Sequence, residues 1–193
     1  MSRIAMQTKD ETKRNIEQAF LELYRTKRLE QISISAISEK AGVNRSPFYY
    51  YFVDIYDLLE YIENKYIEEA TKIITVLIDG IIQNNLEKNI TIIQEFYKRN
   101  RNIFLLFLVE RPNAHIIQAS KKIAKEYALH YIGIDEDKLG DREKCIMEYI
   151  ANAQIGMISW WLENDTNMEF QILIDIIQQA NLRGPMTLMM NLK

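Results

Sequence analysis

Residues 32–52 read ISISAISEKAGVNRSPFYYYF. The serine hydroxyls near the start of this stretch are suited to cap a short helix, because a side-chain oxygen there accepts a hydrogen bond from the first helical turn. Ile34, Ile37 and Ala41 would fall on one face of that helix. Gly42 is expected to end it, since glycine adopts the left-handed C-cap conformation at little cost.

A second short helix is predicted directly after this turn. Asn44 provides an N-cap, and Pro47 falls in the first helical turn, where its missing N–H leaves no hydrogen bond unmade. This helix should cover about residues 45–51. Two short helices joined by a glycine-containing turn, and braced by a longer helix before them, have the layout of a helix-turn-helix.

The segment before residue 32 predicts the longer helix. Thr8 and Glu11 form a capping box at its start, and the apolar residues that follow have amphipathic helical spacing. The helix should run over about residues 9–27. Its apolar face consists of Ile16, Ala19, Phe20, Leu23 and Tyr24.

The rest of the chain also predicts helices and almost no strand. Glycine and proline are scarce, with 6 and 3 among 193 residues, which favours long helices over turn-rich β architectures. A long connecting helix is predicted over about 54–79. Further helices are predicted near 89–99, 101–110, 113–131, 141–163 and 168–182, so the fold class is all-α with about nine helices.

Charge is distributed unevenly along the chain. Residues 1–52 carry 9 Lys and Arg against 6 Asp and Glu, whereas residues 53–193 carry 15 against 21, and the net charge is −3. The N-terminal part is therefore the one suited to phosphate groups. Cys145 is the single cysteine and no secretory-type apolar segment is recognised, so a cytoplasmic location is expected. The apolar runs at 73–78 and 103–109 are too short to cross a membrane.

Residues 32–52 strongly resemble the signature of TetR-family regulators, and Asp57, Leu58 and Leu59 continue the resemblance into the fourth helix. The run from Gly156 to Asn164 resembles, more loosely, the penultimate helix of a TetR subgroup that includes regulators of dihydroxyacetone-kinase operons. The resemblance implies a three-helix helix-turn-helix DNA-binding domain over 1–53. It also implies a helical effector-binding and dimerisation domain over 54–193.

The recognition helix of such a protein meets base edges in the major groove while flanking groups hold phosphates. Arg45 is suited to read guanine, and the start of the preceding helix is suited to phosphate. Ser33 and Ser35 can equally be caps only, and Tyr49 and Tyr50 can be partly buried against the first helix. The candidate DNA-binding residues are Ser33, Ser35, Lys40, Asn44, Arg45, Ser46, Pro47, Tyr49, Tyr50 and Tyr51.

Several residues depart from the family pattern. Tyr51 stands where His is usual, Pro47 where Thr is common, and Val53 and Ile55 where lysines often approach the DNA backbone. These differences remove cationic phosphate contacts, so the alternative is a protein-interaction co-regulator or activator with weak DNA binding. DNA binding remains favoured because other cations are present. These are Arg3, Lys9, Lys40 and Arg45.

The resemblance further implies a homodimer built from the last two long helices and a pocket for a small-molecule effector. Apolar residues of those helices predict the interface, although a wholly internal core is the alternative. The predicted interface comprises Ile146, Tyr149, Ile150, Ala153, Met157, Trp161, Phe170, Leu173 and Ile177. The predicted pocket comprises Phe96, Tyr97, Phe104, Phe107, His115 and Trp160, each of which can instead be core.

Enzymatic and metal-binding functions receive no support from the sequence. His115 and His130 are far apart and lack the partners of a metal site, and no phosphate-binding glycine loop or nucleophile elbow is present. No cofactor, metal or membrane partner is expected. The sequence therefore predicts a regulator that binds double-stranded operator DNA, with repression relieved by ligand as the family default and activation as the alternative.

Overall fold

The computed structural model describes residues 9–82, 86–164 and 168–184. Within these ranges the chain forms eight α-helices and no strand. Helices α1 to α4 are Lys9–Thr26, Ile34–Ala41, Arg45–Tyr51 and Ile55–Ile82. Helices α5 to α8 are Leu86–Leu105, Ala114–Ile132, Asp141–Glu163 and Phe170–Arg183. The all-α prediction is thus confirmed, while Thr8 and Arg3 lie outside the described residues.

One predicted helix break is wrong. The sequence predicted separate helices near 89–99 and 101–110, but α5 continues through this point to Leu105. Asn100 is buried, and its side-chain amide donates to the carbonyl of Phe96 at 3.1 Å, so the residue is satisfied inside the helix. A π-helical turn, Leu106–Glu110, follows, and Pro112 comes directly after it.

The chain divides into two compact units, one ending at Tyr66 and the other beginning at Ile67. In the N-terminal unit, α1, α2 and α3 pack on one another. Leu58 and Ile62, from the first part of α4, are fully buried. The N-terminal unit therefore extends into α4, beyond the domain boundary that the sequence suggested after residue 53.

The C-terminal unit contains α5 to α8 and the remainder of α4. Its helices pack mainly as the pair α6 and α7, with α5 and α8 each also in contact with α7. Phe107 and Leu162 are among its fully buried side chains. No helix within the described ranges is both long and apolar enough to span a membrane.

Candidate nucleic-acid interface

The turn between α2 and α3 is held by caps at both ends of α2. Ser33 is the N-cap, and its hydroxyl accepts a hydrogen bond from the backbone N–H of Ala36 at 3.1 Å. Gly42 adopts the left-handed conformation with φ 68°, and the N–H of Val43 donates to the carbonyl of Ser38 at 2.9 Å. These bonds satisfy backbone groups that the helix leaves open, so α3 begins in a defined direction.

The inner face of α3 anchors it to the N-terminal unit. Phe48 and Phe52 are 0% and 3% exposed, and their ring centroids lie 5.8 Å apart. Phe20 of α1 and Ile37 of α2 are also fully buried in this unit. The i, i+4 spacing of the two phenylalanines places both on one face of the helix, which leaves the opposite face of α3 to solvent.

The outer face of α3 carries four of the ten predicted DNA-binding residues. Arg45 and Ser46 are exposed, as are Tyr49 and Tyr50, at 59% and 67%. The guanidinium of Arg45 donates to the hydroxyl of exposed Ser35 at 2.8 Å, which joins the starts of α3 and α2. Two of the predicted residues are therefore in direct contact.

Asn44 and Pro47 complete the first turn of α3. Asn44 occupies the N-cap position with an extended backbone, but its side chain makes no capping hydrogen bond. Its amide is consequently exposed and available to a ligand rather than committed to the helix. Pro47 is half-buried, as expected for a residue that shapes the first turn.

Tyr51 differs from the other tyrosines of α3 in that it is bonded to α1. It is half-buried, and its hydroxyl donates to the carbonyl of Lys9 at 2.8 Å. Its ring packs edge-on against Tyr50 at 4.8 Å, and the Lys9 ammonium donates to the Tyr50 hydroxyl at 3.4 Å. Tyr51 therefore positions the start of α1 beside α3, and its contact with DNA stays a prediction.

Lys13 is a residue near this surface that the sequence reasoning missed. Its ammonium lies 3.7 Å from the ring centroid of Tyr61 and 5.5 Å from that of Phe52. A cation over an aromatic face is held by the ring quadrupole and keeps its charge. The run of five aromatic residues at 48–52 was a signal that cations of α1 could lie against it.

Lys40, in contrast, is paired within the protein. Its ammonium lies 2.7 Å from the carboxylate of Glu22 on α1. The hydrogen bond from Lys40 lowers the pKa of Glu22, so the carboxylate is charged at neutral pH. Glu22 therefore competes with a phosphate for Lys40, whose contact with DNA stays a prediction.

The start of α4 presents acidic and apolar groups. Asp54 accepts hydrogen bonds from the N–H groups of Tyr56 and Asp57 at 2.8 and 2.9 Å, and Asp57 accepts from the N–H of Val53 at 2.8 Å. Val53 and Tyr56 are exposed, at 79% and 55%. The segment 53–57 contains no cation, so it cannot contribute the lysine contacts usual in the resembled family.

The C-terminal unit contains a cavity of about 290 Å³ lined by residues of α4 to α8 and of the π-helical turn. Three predicted pocket residues, Phe96, Tyr97 and Phe104, line it. Their rings pack together, with the Tyr97 and Phe104 centroids 4.9 Å apart. Burial raises the pKa of Tyr97 to about 12, so its phenol is neutral at physiological pH.

The other three predicted pocket residues do not line this cavity. Phe107 is fully buried in the π-helical turn, His115 is exposed near the start of α6, and Trp160 is 51% exposed on α7. Trp160 points outward because adjacent residues of a helix point about 100° apart and the next residue, Trp161, takes the inward direction. Trp161 packs 5.6 Å from Phe170, and its indole N–H donates to the carbonyl of Met168 at 2.9 Å.

The predicted dimer residues separate into an outer and an inner group. Ile146 and Tyr149 are 48% and 61% exposed, and Ala153 is half-buried on the same face of α7. The inner group is already covered by this chain, so it offers little surface to a partner. It comprises Ile150, Met157, Trp161, Phe170, Leu173 and Ile177.

Across the described part of the chain, no group of three or more His, Cys, Asp and Glu side chains is placed to hold a metal ion. Comparison with known proteins gives a match to a TetR-type family model described as "Transcriptional regulator C-terminal region", over residues 84–181. No curated protein matches the chain significantly.

Two solved structures share its fold. One is the fatty acid degradation regulator FadR from Bacillus halodurans, with 15% identity, a TM-score of 0.62, and coverage of 90% of this chain and 96% of the other. The second is the dihydroxyacetone kinase operon activator DhaS, with 20% identity, a TM-score of 0.55, and coverage of 88% and 95%. At these identities the likeness concerns the all-helical fold.

Proposed function

Because the chain belongs to the TetR family of transcriptional regulators, we propose that it binds operator DNA through α3 as a homodimer. A small molecule in the cavity of the C-terminal unit would change its affinity for that DNA. Repression relieved by the ligand is the proposed sign, since it is the default of the family. A cytoplasmic location, where chromosomal DNA is accessible in bacteria, is part of the proposal.

The observation that carries DNA binding is the first turn of α3. Asn44, Arg45 and Ser46 are consecutive, exposed and located at the helix start, which is the part of a recognition helix that meets base edges. An arginine there can donate two hydrogen bonds to guanine, and an asparagine amide can pair with adenine. The bond from Arg45 to Ser35 holds the guanidinium close to this turn before DNA arrives.

Phosphate contacts would come from the residues that flank this turn. Ser33 and Ser35 lie at the start of α2, where backbone N–H groups favour an anion. Lys9 and Lys13 of α1 contribute charges held against aromatic rings next to α3. Each phosphate neutralised by such a cation steepens the loss of affinity with salt, so binding should weaken as ionic strength rises.

The proposed dimer surface is the exposed stripe of α7, defined by Ile146, Tyr149, Ala153, Gly156 and Trp160. The spacing alternates three and four residues, which keeps all five on one face of the helix. Three of them are large and about half or more exposed, while the two central ones are small and permit close approach of another helix. A second copy of the same stripe would cover it with two-fold symmetry.

The dimer is tested by adding a charge to this stripe. Trp160→Glu should convert the protein to a monomer in sedimentation velocity at micromolar concentration, because a carboxylate would be desolvated at the interface. Val53→Glu is the matched control, since it adds the same charge at an exposed apolar residue of the N-terminal unit. A dimer that persists in Trp160→Glu would refute this assignment of the surface.

DNA binding is tested with the DNA upstream of the protein's own gene. Fluorescence anisotropy should show a salt-dependent complex, and Arg45→Ala should weaken specific binding by about 1 to 3 kcal/mol while leaving nonspecific binding nearly unchanged. Lys122→Ala is the control, because it removes a positive charge from an exposed side chain of α6 in the C-terminal unit.

A second candidate function is a protein-interaction co-regulator or activator that keeps the fold but binds DNA weakly. The acidic and apolar start of α4, with Val53 and Tyr56 exposed, favours it. No salt-dependent complex at micromolar protein, or equal losses of specific and nonspecific binding in Arg45→Ala, would support this alternative. A reporter gene with and without the regulator decides between repression and activation, and DhaS, of the same fold, is an activator.

A further inference from the structure

The cavity of the C-terminal unit is chemically uniform. Among the described residues that line it there is no Asp, Glu, Lys, Arg or His, and most of the surface belongs to Ile, Leu, Ala, Met and Phe side chains. The polar residues of this lining, such as Tyr97, Ser120 and Gln154, carry hydroxyl or amide groups. An ionised ligand would lose its hydration there without meeting an opposite charge, which is strongly unfavourable.

The volume of the cavity limits the size of its occupant. About 290 Å³ corresponds to about ten water-sized groups, at about 30 Å³ each. This lies at the lower end of the range for small-molecule sites, which begins at about 300 Å³. A nucleotide or another large cofactor would not be enclosed, whereas a chain or small ring system of about ten methylene-sized groups would be.

The cavity extends from an apolar rim into the core of the unit. Ile132 and Leu182, at the ends of α6 and α8, are more than half exposed, so they mark its opening. Phe96, Leu108 and Met147 are at most 8% exposed and mark its interior. Because Tyr97 keeps its phenolic proton at neutral pH, it can donate a hydrogen bond to an uncharged oxygen of a ligand.

We propose that this cavity binds a neutral, mainly apolar molecule of about ten methylene-sized groups that carries one hydroxyl or carbonyl oxygen. The inference deepens the proposed function. It rests on that function only for the change in operator affinity that the bound molecule would cause. Binding itself follows from the chemistry of the lining, so it is measured on the full chain without DNA.

The ligand class is tested with a series of straight-chain alcohols from hexanol to tetradecanol in isothermal titration calorimetry. Affinity should rise about fourfold for each added methylene up to about decanol and then level off, because the enclosed space is filled. Decanoate, which has the same chain but a charged head, should bind at least about tenfold more weakly than decanol. Equal affinities for decanol and decanoate, or no dependence on chain length, would overturn the proposal.

The location is tested by filling the cavity from α6. Ala128→Phe adds a ring to a lining residue and should weaken decanol binding at least about tenfold. Ala124→Leu, one turn earlier, adds less volume and is the second variant if the first does not fold by circular dichroism. Ala114→Phe, at the exposed first residue of α6, is the matched control and should bind like the wild type. Wild-type affinity in a folded lining variant would show that the ligand binds elsewhere.

The failures of the two proposals are distinguishable. If decanol binds and Ala128→Phe abolishes it, the cavity inference holds even when operator affinity is unchanged, and only the effector role fails. If operator DNA is bound but no alcohol of the series binds, the cavity inference is wrong and DNA recognition through α3 stands.

Discussion

The pair formed by Lys65 of α4 and Glu17 of α1 should contribute strongly to the stability of the N-terminal unit. The Lys65 ammonium lies 2.6 Å from the Glu17 carboxylate, whose side chain is 9% exposed. Burial acts to lower the pKa of Lys65, but the hydrogen bond and charge of Glu17 outweigh it, and the pKa is raised above its ordinary 10.5. Lys65 is therefore charged in the folded protein at all physiological pH values.

Lys65→Met would leave the buried carboxylate without its partner. Removing one member of a fully buried pair costs about 3 to 5 kcal/mol, because the remaining charge is uncompensated. The Lys65 side chain is 32% exposed, so water can partly replace it, and we expect a loss of about 1 to 3 kcal/mol. Glu17→Gln should cost less, and the double variant should be more stable than the sum of the two single losses predicts.

Urea denaturation of the full chain, followed by circular dichroism, measures these losses in unfolding free energy. Lys72→Met is the control, because Lys72 and Glu68 form a pair that is more than two-thirds exposed, so water screens it and its loss should change stability far less. Since the folded pKa of Lys65 is raised, its contribution is complete below pH 10.5 and is lost as pH rises through the folded pKa. Equal losses in Lys65→Met and Lys72→Met, or an additive double variant, would refute the reasoning.

Three further substitutions have defined outcomes. Ser38→Ala should raise the unfolding free energy by about 1 kcal/mol, because the Ser38 hydroxyl is buried without a hydrogen-bond partner among the described residues. A lower unfolding free energy in the variant would show that the hydroxyl does have a partner. Tyr51→Phe removes the bond to the Lys9 carbonyl and should weaken specific and nonspecific DNA binding alike, whereas a selective loss of specific binding would indicate base contact by Tyr51. In the wild type, the unfolding free energy should fall as pH rises from the ordinary tyrosine pKa of 10 to about 12, and Tyr97→Phe should make this pH dependence smaller in urea titrations. An unchanged pH dependence in the variant would show that other groups cause it.

Most of the helix-turn-helix could be predicted because its signals are local. The cap at Ser33, the left-handed Gly42 and the inward pair Phe48 and Phe52 each depend on neighbours a few residues away. The same holds for the exposed Arg45 on the opposite face. Such local preferences agree with one another here, so the helix boundaries from α1 to α3 differ little from those predicted.

The cavity and the surface stripe could be predicted only in part. Apolar residues occur around much of α7, so spacing alone does not say which of Trp160 and Trp161 faces inward. The contribution of α6 to the cavity, through residues such as Ala124 and Ala128, depends on helices far apart in sequence.

The amino-acid sequence alone thus determined an all-helical chain, its helix-turn-helix and the face of α3 that carries Arg45, because hydrogen bonding and periodicity act within one helix or one turn. Only the tertiary structure decided that Tyr51 and Lys40 are engaged with α1, that Trp160 is on the surface, and that the C-terminal unit holds a cavity whose described lining residues carry no charge. The physical reason is that pairing and burial between helices depend on which side chains meet, and sequence spacing does not contain that information.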